Sequence, residues 1–290
     1  MKREKPTSDQ TLPPVSQLVA EKQQSLFRYT DLDGNEQVLD FRSLVDSDPS
    51  VIPMPVDREG YSPVEHSDRY WATGHGDLLN VQSALERFSQ TGNEKVFDFG
   101  CSTGRFLRHV HYFTKLEPHG CDFAPANVDW SAEHLPHDIK IILNSAEPNL
   151  PYPDKTFDIV TAFSVFTHID AGELEWLNEL TRITKSGGLL YLTIQNQSSW
   201  GKVVDRPGML DHLQRANQIE GNLQVDEDLF AAEMPTDRIV FRMSNSEVYN
   251  CNVWVTNKYV QEHWTDSLEL LQISENAHNS FQSVVVLRRK

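Results

Sequence analysis

Cysteine is scarce in this chain of 290 residues: Cys101, Cys121 and Cys251 are the only three, and they form no C-x-x-C pair. Such a set argues against a disulfide scaffold and a zinc knuckle and favours a reducing compartment, so we expect a cytoplasmic protein. Long apolar runs are missing too, since no stretch approaches the roughly 20 residues of a membrane-spanning helix. The polar start of the chain leads us to expect no secretory signal.

Positive charge is also in short supply, with 26 Lys and Arg against 42 Asp and Glu and a formal net charge of −16. Affinity for nucleic acids and for anionic membranes comes largely from cationic side chains. We therefore expect no nucleic acid and no membrane among the partners. The acidity favours a neutral or cationic small molecule over a polyanion.

Apolar segments with strand and helix periodicity alternate from about residue 77 onward. Asp77 is predicted to cap the first helix, and Asp170 with Glu173 is predicted to form a capping box for a later one. Near-continuous apolar strands between helices indicate an α/β fold, with a mostly parallel sheet, helices on both faces and an antiparallel last strand. The seven predicted strands are 95–99, a strand ending at 122, 139–143, 157–163, 189–194, 268–273 and 283–287.

Composition divides the chain into five predicted segments around this pattern. Residues 1–30 are expected to be a flexible arm and residues 31–76 a lid segment. The core is expected at 77–196, and 197–256 is expected to be an insertion that covers the substrate. Residues 257–290 supply the closing helix and two strands of the core.

The sequence D-F-G-C-S-T-G at residues 98–104 lies where the first core strand meets a helix. Small residues there let a ligand approach the backbone, and free amides at a helix start favour polar or anionic groups. Asp122 follows Gly100 by 22 residues and ends the next strand, where an acid can accept both hydroxyls of a ribose. Together they predict a nucleoside site; a merely tight turn, with Asp122 capping its own helix, is the alternative.

A third glycine is missing, so the dinucleotide pattern G-x-G-x-x-G is absent. The loop instead resembles the first motif, D-x-G-x-G-x-G, of class I S-adenosylmethionine-dependent methyltransferases, with Ser102 at the middle glycine. Residues 144–154 resemble the family's adenine loop, although Ser145 stands where many relatives have Asp. Residues 184–190 resemble its R-x-L-K-P-G-G turn, with Ser186 in place of proline.

This resemblance covers most of residues 77–196 and implies a Rossmann-like fold. It implies S-adenosylmethionine as the cofactor and S-adenosylhomocysteine as the product. The histidines are scattered and form no H-x-x-x-H pattern, so we expect no metal. By the same resemblance, the cofactor-binding residues are expected to be Asp98, Gly100, Cys101, Ser102, Gly104, Asp122, Phe123, Ser145, Ala146, Glu147 and Phe163.

His168 is the candidate catalytic residue, because it lies just past the fourth core strand, a position that faces the cofactor's methyl group in this fold. An imidazole titrates near neutral pH, as a general base should. His168 would otherwise order its loop or stack on the substrate. The candidate substrate-binding residues are Tyr70, Trp71, His75 and Trp200, for which aromatic packing is an equally good interpretation.

The leading hypothesis is methyl transfer to a small-molecule or sugar-type (glycan) acceptor by in-line displacement, in which positioning and desolvation dominate. A cofactor-binding regulator or partner subunit without turnover is the alternative from another class. A nicotinamide dehydrogenase is a third hypothesis, which the missing glycine argues against.

Overall fold

A computed structural model describes residues 26–40, 67–219, 221, 223–243 and 250–290. Its strands, in chain order, are β1 (Leu26–Thr30), β2 (Glu36–Asp40), β3 (Lys95–Phe99), β4 (Glu117–Asp122), β5 (Lys140–Leu143), β6 (Phe157–Ala162), β7 (Thr184–Ile194), β8 (Gln218–Ile219), β9 (Arg238–Arg242), β10 (Cys251–Val255), β11 (Leu268–His278) and β12 (Gln282–Arg289). Its helices are α1 (Ser67–Phe88), α2 (Leu107–Phe113), α3 (Pro125–His134), α4 (Glu173–Ile183), α5 (Gln197–Trp200), α6 (Pro207–Leu213), α7 (Glu227–Ala231) and α8 (Asn257–His263), with a 3-10 turn at Phe166–His168.

The centre of the fold is a seven-stranded sheet in the order β11-β12-β7-β6-β3-β4-β5. Strands β3 to β7 run parallel, whereas β12 is antiparallel to both β7 and β11. The predicted α/β fold, with its mostly parallel sheet and antiparallel last strand, is confirmed. Because β11 is thus parallel to β7, the turn between β11 and β12 lies at the same edge as the carboxyl ends of β3 to β7.

Both faces of the sheet are covered, which explains why its strands are apolar throughout. Neighbouring residues of β3 show this: Val96 packs in one core cluster, together with Leu78 of α1, and Phe97 packs in another, together with Trp176 of α4. All six residues of β6 are buried. The sheet therefore supplies a rigid platform whose carboxyl edge carries the loops of interest.

The first helix begins at Ser67, so the prediction that Asp77 caps it is wrong. Asp77 lies inside α1, buried, and its carboxylate accepts hydrogen bonds from Arg105 (2.5 Å) and from Nδ1 of His278 (2.9 Å). Gly74 and Gly76 look like a break in the sequence. They are tolerated because α1 approaches the backbone of Arg105 so closely that a Cβ at Gly74 would overlap its carbonyl oxygen.

The predicted capping box at the start of α4 is also wrong. Gly172 is the N-cap, with a φ of 83°, and no side chain caps the helix. Asp170 and Glu173 face the insertion instead, where Asp170 accepts from Arg242 (2.5 Å) and Glu173 accepts from Arg238 (3.0 Å). The two carboxylates link the main domain to the insertion, because each pairs with an arginine of the insertion.

The predicted insertion folds into a small unit with its own three-stranded antiparallel sheet, in the order β10-β9-β8. Its core contains Trp200, Phe230, Phe241 and Trp254. Trp254 forms a parallel bridge with Gln195, directly after β7. The insertion is therefore attached at the carboxyl edge of the main sheet.

An antiparallel hairpin of β1 and β2 packs against α1 and β11. Leu32, in its turn, is buried, and its carbonyl accepts hydrogen bonds from Gln272 Nε2 (2.6 Å) and Ser274 Oγ (2.5 Å). The hairpin crosses the boundary predicted between arm and lid. Residues 67–76 of the predicted lid belong to α1, and residues 1–25 and 41–66 lie outside the described residues. Within the described ranges, none of the helices is long and apolar enough to cross a membrane.

A candidate cofactor cleft at the carboxyl edge of the sheet

The loop between β3 and α2 needs its glycines for conformational reasons. Gly100 and Gly104 have φ values of 72° and 71°, in the left-handed region. A Cβ at Gly100 would also lie 2.5 Å from Cγ2 of Val165. Ser102, at the position of the middle glycine, adopts a φ of 51° and shares this conformation. This geometry is that of a tight turn, and the nucleoside site at the loop stays a prediction.

Asp122 accepts hydrogen bonds both from the glycine loop and from the start of the helix that follows it. Its Oδ2 accepts from the backbone N–H of Ser102 (2.8 Å), and its Oδ1 accepts from the N–H of Ala124 (3.0 Å) and from Asn127 (3.1 Å). A carboxylate offers about four lone-pair sites, so capacity for a hydroxyl donor remains. Phe123 beside it keeps 56% of its surface exposed, which leaves an apolar ring surface at this edge.

A narrow cleft of about 10 Å³ opens over the loop, enough for about one water molecule. Burial raises the pKa of Asp98, one of its walls, to about 7, although Thr161 donates a hydrogen bond to that carboxyl at 2.8 Å. The cleft is lined by Asp98, Gly100, Cys101, Ser102, Arg105, Phe106 and Phe163.

Arg105 is a cleft residue that the sequence analysis did not single out. Its guanidinium carbon lies 5.4 Å from the centre of the Phe163 ring, and it pairs with Asp77. The sequence feature that could have identified Arg105 is its position as a cation directly after the glycine loop. It places positive charge where an anionic group of a ligand would approach the loop.

The predicted adenine loop follows β5 and is exposed at Ser145, Ala146 and Glu147. The backbone N–H of Glu147 donates to Ser145 Oγ at 3.2 Å, which shapes the loop. It follows β5 at the same edge as the glycine loop and Asp122, because β3, β4 and β5 are parallel neighbours. The cofactor contacts of these three residues stay predictions.

His168 closes the 3-10 turn after β6, and its Nδ1 lies 2.7 Å from the carbonyl oxygen of Cys251. A carbonyl only accepts, so Nδ1 carries the proton and Nε2 carries a lone pair. Burial lowers the pKa of His168, and nearby His212 lowers it further. The imidazole is therefore held neutral with one nitrogen ready to accept a proton.

The four predicted substrate-binding residues are all buried, with at most 5% of their surface exposed. Tyr70 shares a hydrogen bond of 2.6 Å with Thr103 of the glycine loop, and Trp71 stacks on His75 with ring centres 5.8 Å apart. The indole N–H of Trp200 donates to carbonyls inside the insertion. In this conformation the four side chains pack the covers of the cleft, and acceptor contact at these positions stays a prediction.

Comparison with known proteins agrees with this geometry. Residues 97–192 match the family described as methyltransferase domain. Over 123 residues the chain is 32% identical to uncharacterized protein MJ0638 of Methanocaldococcus jannaschii, a match spanning 41% of this chain and 48%, about half, of that relative.

Solved structures resemble the chain in fold. PH0226 protein from Pyrococcus horikoshii OT3 superposes with a TM-score of 0.52 at 17% identity, over 82% of this chain and 96% of that one. An S-adenosylmethionine-dependent methyltransferase from Clostridium acetobutylicum ATCC 824 gives a TM-score of 0.49 at 12% identity, over 76% of this chain and 91% of that one.

Residues 97–192 therefore match a methyltransferase domain, and this similarity points to S-adenosylmethionine as the cofactor and S-adenosylhomocysteine as the product. The residues present fit this cofactor. The left-handed glycine loop admits a close approach, Asp122 keeps acceptor capacity, and Phe123 exposes a ring surface. Arg105 supplies a cation to the cleft.

Proposed function

We propose that the whole chain methylates a hydroxyl group of a small-molecule or sugar-type acceptor, with His168 as the general base. The observation that carries the proposal is the state of His168: its hydrogen bond to the Cys251 carbonyl fixes the tautomer in which Nε2 accepts a proton. An acceptor hydroxyl must lose its proton as it is methylated, and this nitrogen is suited to receive it.

The position of His168 supports the same role. The 3-10 turn follows β6 at the carboxyl edge, and Val165 of the same loop packs against the glycine loop at Gly100. The insertion completes the surroundings, because Cys251 of β10 donates from its thiol to the carbonyl of His168 at 3.2 Å. Loop and insertion thus hold the imidazole from both sides.

When bound, S-adenosylmethionine supplies a methyl group on a sulfonium that is already activated for displacement. The chain's own part is to orient the acceptor, exclude water and take the proton at Nε2 of His168. The buried covers formed by α1 and the insertion provide the exclusion of water. A reducing, cytoplasmic location suits the proposal, since all three cysteines are free thiols.

The experiment has two measurements: calorimetric titration with S-adenosylhomocysteine, and methyl transfer from S-adenosylmethionine to a panel of sugars and hydroxylated small molecules, read by mass spectrometry. We expect binding and a methylated product. In His168→Asn the amide can keep the hydrogen bond to Cys251 but has no basic nitrogen, so turnover should fall by about 10²-fold or more with unchanged S-adenosylhomocysteine affinity.

The matched control is His137→Asn, which changes an exposed histidine after α3 and should leave turnover unchanged. The wild-type rate should also fall as the pH drops through the lowered pKa of His168, because Nε2 becomes protonated. Full activity of His168→Asn would refute the role of the base. Binding without transfer to any member of the panel would instead favour the non-catalytic alternative.

A further inference from the structure

Three hydrogen-bonded side chains form a cluster across the carboxyl edge of the sheet: Ser164 after β6, Thr193 in β7 and Gln282 at the start of β12. The hydroxyls of Ser164 (3.0 Å) and Thr193 (2.8 Å) both donate to Oε1 of Gln282. The backbone N–H of Ser164 donates to Oγ1 of Thr193 at 2.7 Å. The side-chain amide of Gln282 is thus held by two other segments of the chain.

These bonds determine which end of the Gln282 amide is occupied. Oγ1 of Thr193 already accepts from the backbone of Ser164, so its own proton goes to a carbonyl oxygen, and the Ser164 hydroxyl supplies a second donor to that oxygen. The amide nitrogen therefore points away from both hydroxyls. Among the residues that the structure describes, none accepts a hydrogen bond from this nitrogen. Gln282 is only half-buried, although the next five residues of β12 are buried.

The cluster lies beside the loop that connects the cofactor cleft with the proposed base. Ser164 directly follows Phe163, which lines the cleft, and it belongs to the same loop as His168. Because the Ser164 hydroxyl contacts Gln282 directly, the amide borders this loop without an intervening layer of side chains. A molecule that contacts the loop from the open side therefore meets the amide nitrogen of Gln282.

The backbone of Ser164 is strained in a way that holds the cluster together. Its φ of 59° lies in the left-handed region, which residues other than glycine seldom adopt. Such a conformation persists only where the surroundings impose it, and here the bonds to Thr193 and Gln282 do so. An amide that is already fixed loses little conformational freedom when it binds a ligand. The cluster therefore has the rigidity of a binding site.

We infer that Gln282 binds the acceptor, and that its side-chain N–H groups donate to an acceptor oxygen other than the hydroxyl that is methylated. The inference rests on the proposed methyl transfer and deepens it. It requires an acceptor with at least two oxygens, as in a sugar or another polyhydroxylated molecule. Because the contacted oxygen does not react, Gln282 contributes to acceptor binding in the ground state and in the transition state alike.

The test measures methyl transfer from saturating S-adenosylmethionine to four polyhydroxylated members of the panel: D-glucose, D-galactose, myo-inositol and catechol. Gln282→Glu replaces the donating nitrogen by an oxygen and keeps an oxygen for the two hydroxyls. At a pH of about 8, where glutamate is ionised, it should raise the acceptor KM by about tenfold or more, because two oxygens then face each other. The kcat and the Kd of S-adenosylhomocysteine should each change less than about twofold.

A second variant separates acceptor binding from a merely structural role. Gln282→Met removes the oxygen as well as the nitrogen, so it leaves the hydroxyls of Ser164 and Thr193 without their acceptor. Urea denaturation should therefore show a loss of stability in Gln282→Met and close to wild-type stability in Gln282→Glu, whereas the KM should rise in both. The matched control is Gln261→Glu, the same change on the exposed surface of α8, which should leave the KM unchanged.

An unchanged KM in Gln282→Glu would overturn the inference. A loss of S-adenosylhomocysteine affinity in place of the higher KM would also overturn it, since Gln282 would then contact the cofactor. Methylation only of acceptors with a single oxygen, such as cyclohexanol, would overturn it too, and in all three cases the proposed methyl transfer would stand. Absence of any methylated product with the wild type would overturn both proposals.

Discussion

Gly74→Ala is the sharpest test of how α1 covers the glycine loop. The new methyl group would overlap the carbonyl oxygen of Arg105 and lie 2.8 Å from Cδ2 of His109. The obstructing oxygen belongs to the backbone and cannot rotate away, so α1 must shift outward. Overpacking of this kind costs about 1–3 kcal/mol. Alanine regains about 1 kcal/mol of helix propensity, so the net expected loss is between zero and about 2 kcal/mol.

The matched control is Gly208→Ala in α6, where no atom lies within 4 Å of the added methyl group. The same chemical change there should raise the free energy of unfolding by about 0.5–1 kcal/mol. Urea denaturation of both variants measures the difference in stability between them, which should be about 0.5–3 kcal/mol, from the costs and gains given above. S-adenosylhomocysteine affinity should fall only in Gly74→Ala. A Gly74→Ala protein stabilised as much as Gly208→Ala would refute the close contact.

Three further substitutions test the cleft and its covers. Asp122→Asn should weaken S-adenosylhomocysteine binding by about tenfold or more in calorimetry, because a charge-assisted acceptor is lost; an unchanged Kd would contradict its assignment to the ribose. The raised pKa of Asp98 means that its ionised form is disfavoured in the folded state. As the pH rises from about 4 to 7, the wild type should therefore lose up to about 4 kcal/mol of stability relative to Asp98→Asn. An equal pH dependence of the two proteins in denaturation experiments would contradict the raised pKa. Burial lowers the pKa of His75 to about 4. The folding stability of the wild type should therefore fall by up to about 3 kcal/mol as the pH falls from 6.5 to 4, and that of His75→Phe should fall less. An equal pH dependence of the two stabilities would argue against a buried neutral His75.

The sheet could be predicted because its strands are apolar throughout, as strands covered on both faces are. This pattern is visible within the sequence of each strand. Val96 and Phe97 already indicate two covered faces, and the structure assigns them to separate core clusters. The glycine loop was predictable for a similar reason, since D-x-G at a strand end requires particular backbone angles. Both features are determined by residues close together in the chain.

Features that depend on distant partners were not predictable in this way. Asp77 has the local pattern of a helix cap, yet it lies within α1, where its carboxylate accepts hydrogen bonds from Arg105 and His278, 28 and 201 residues away. Asp170 matches a capping box for the same local reason, but its partner, Arg242, is 72 residues away. Trp200 has an aromatic side chain suited to a binding surface, and its role in the core of the insertion depends on Phe230 and Trp254.

The contacts of Leu32 with Ser274 and of Asp77 with His278 have a consequence for the order of assembly. These contacts join residues 242 and 201 positions apart, so the cover formed by the β1–β2 hairpin and α1 is secured by strands that are synthesised after β3 to β7. Strands β3 to β7 can pair earlier, since their partners leave the ribosome first. The parallel part of the sheet can therefore form before the site is closed, and closure of the site requires β11 and β12 to have been synthesised.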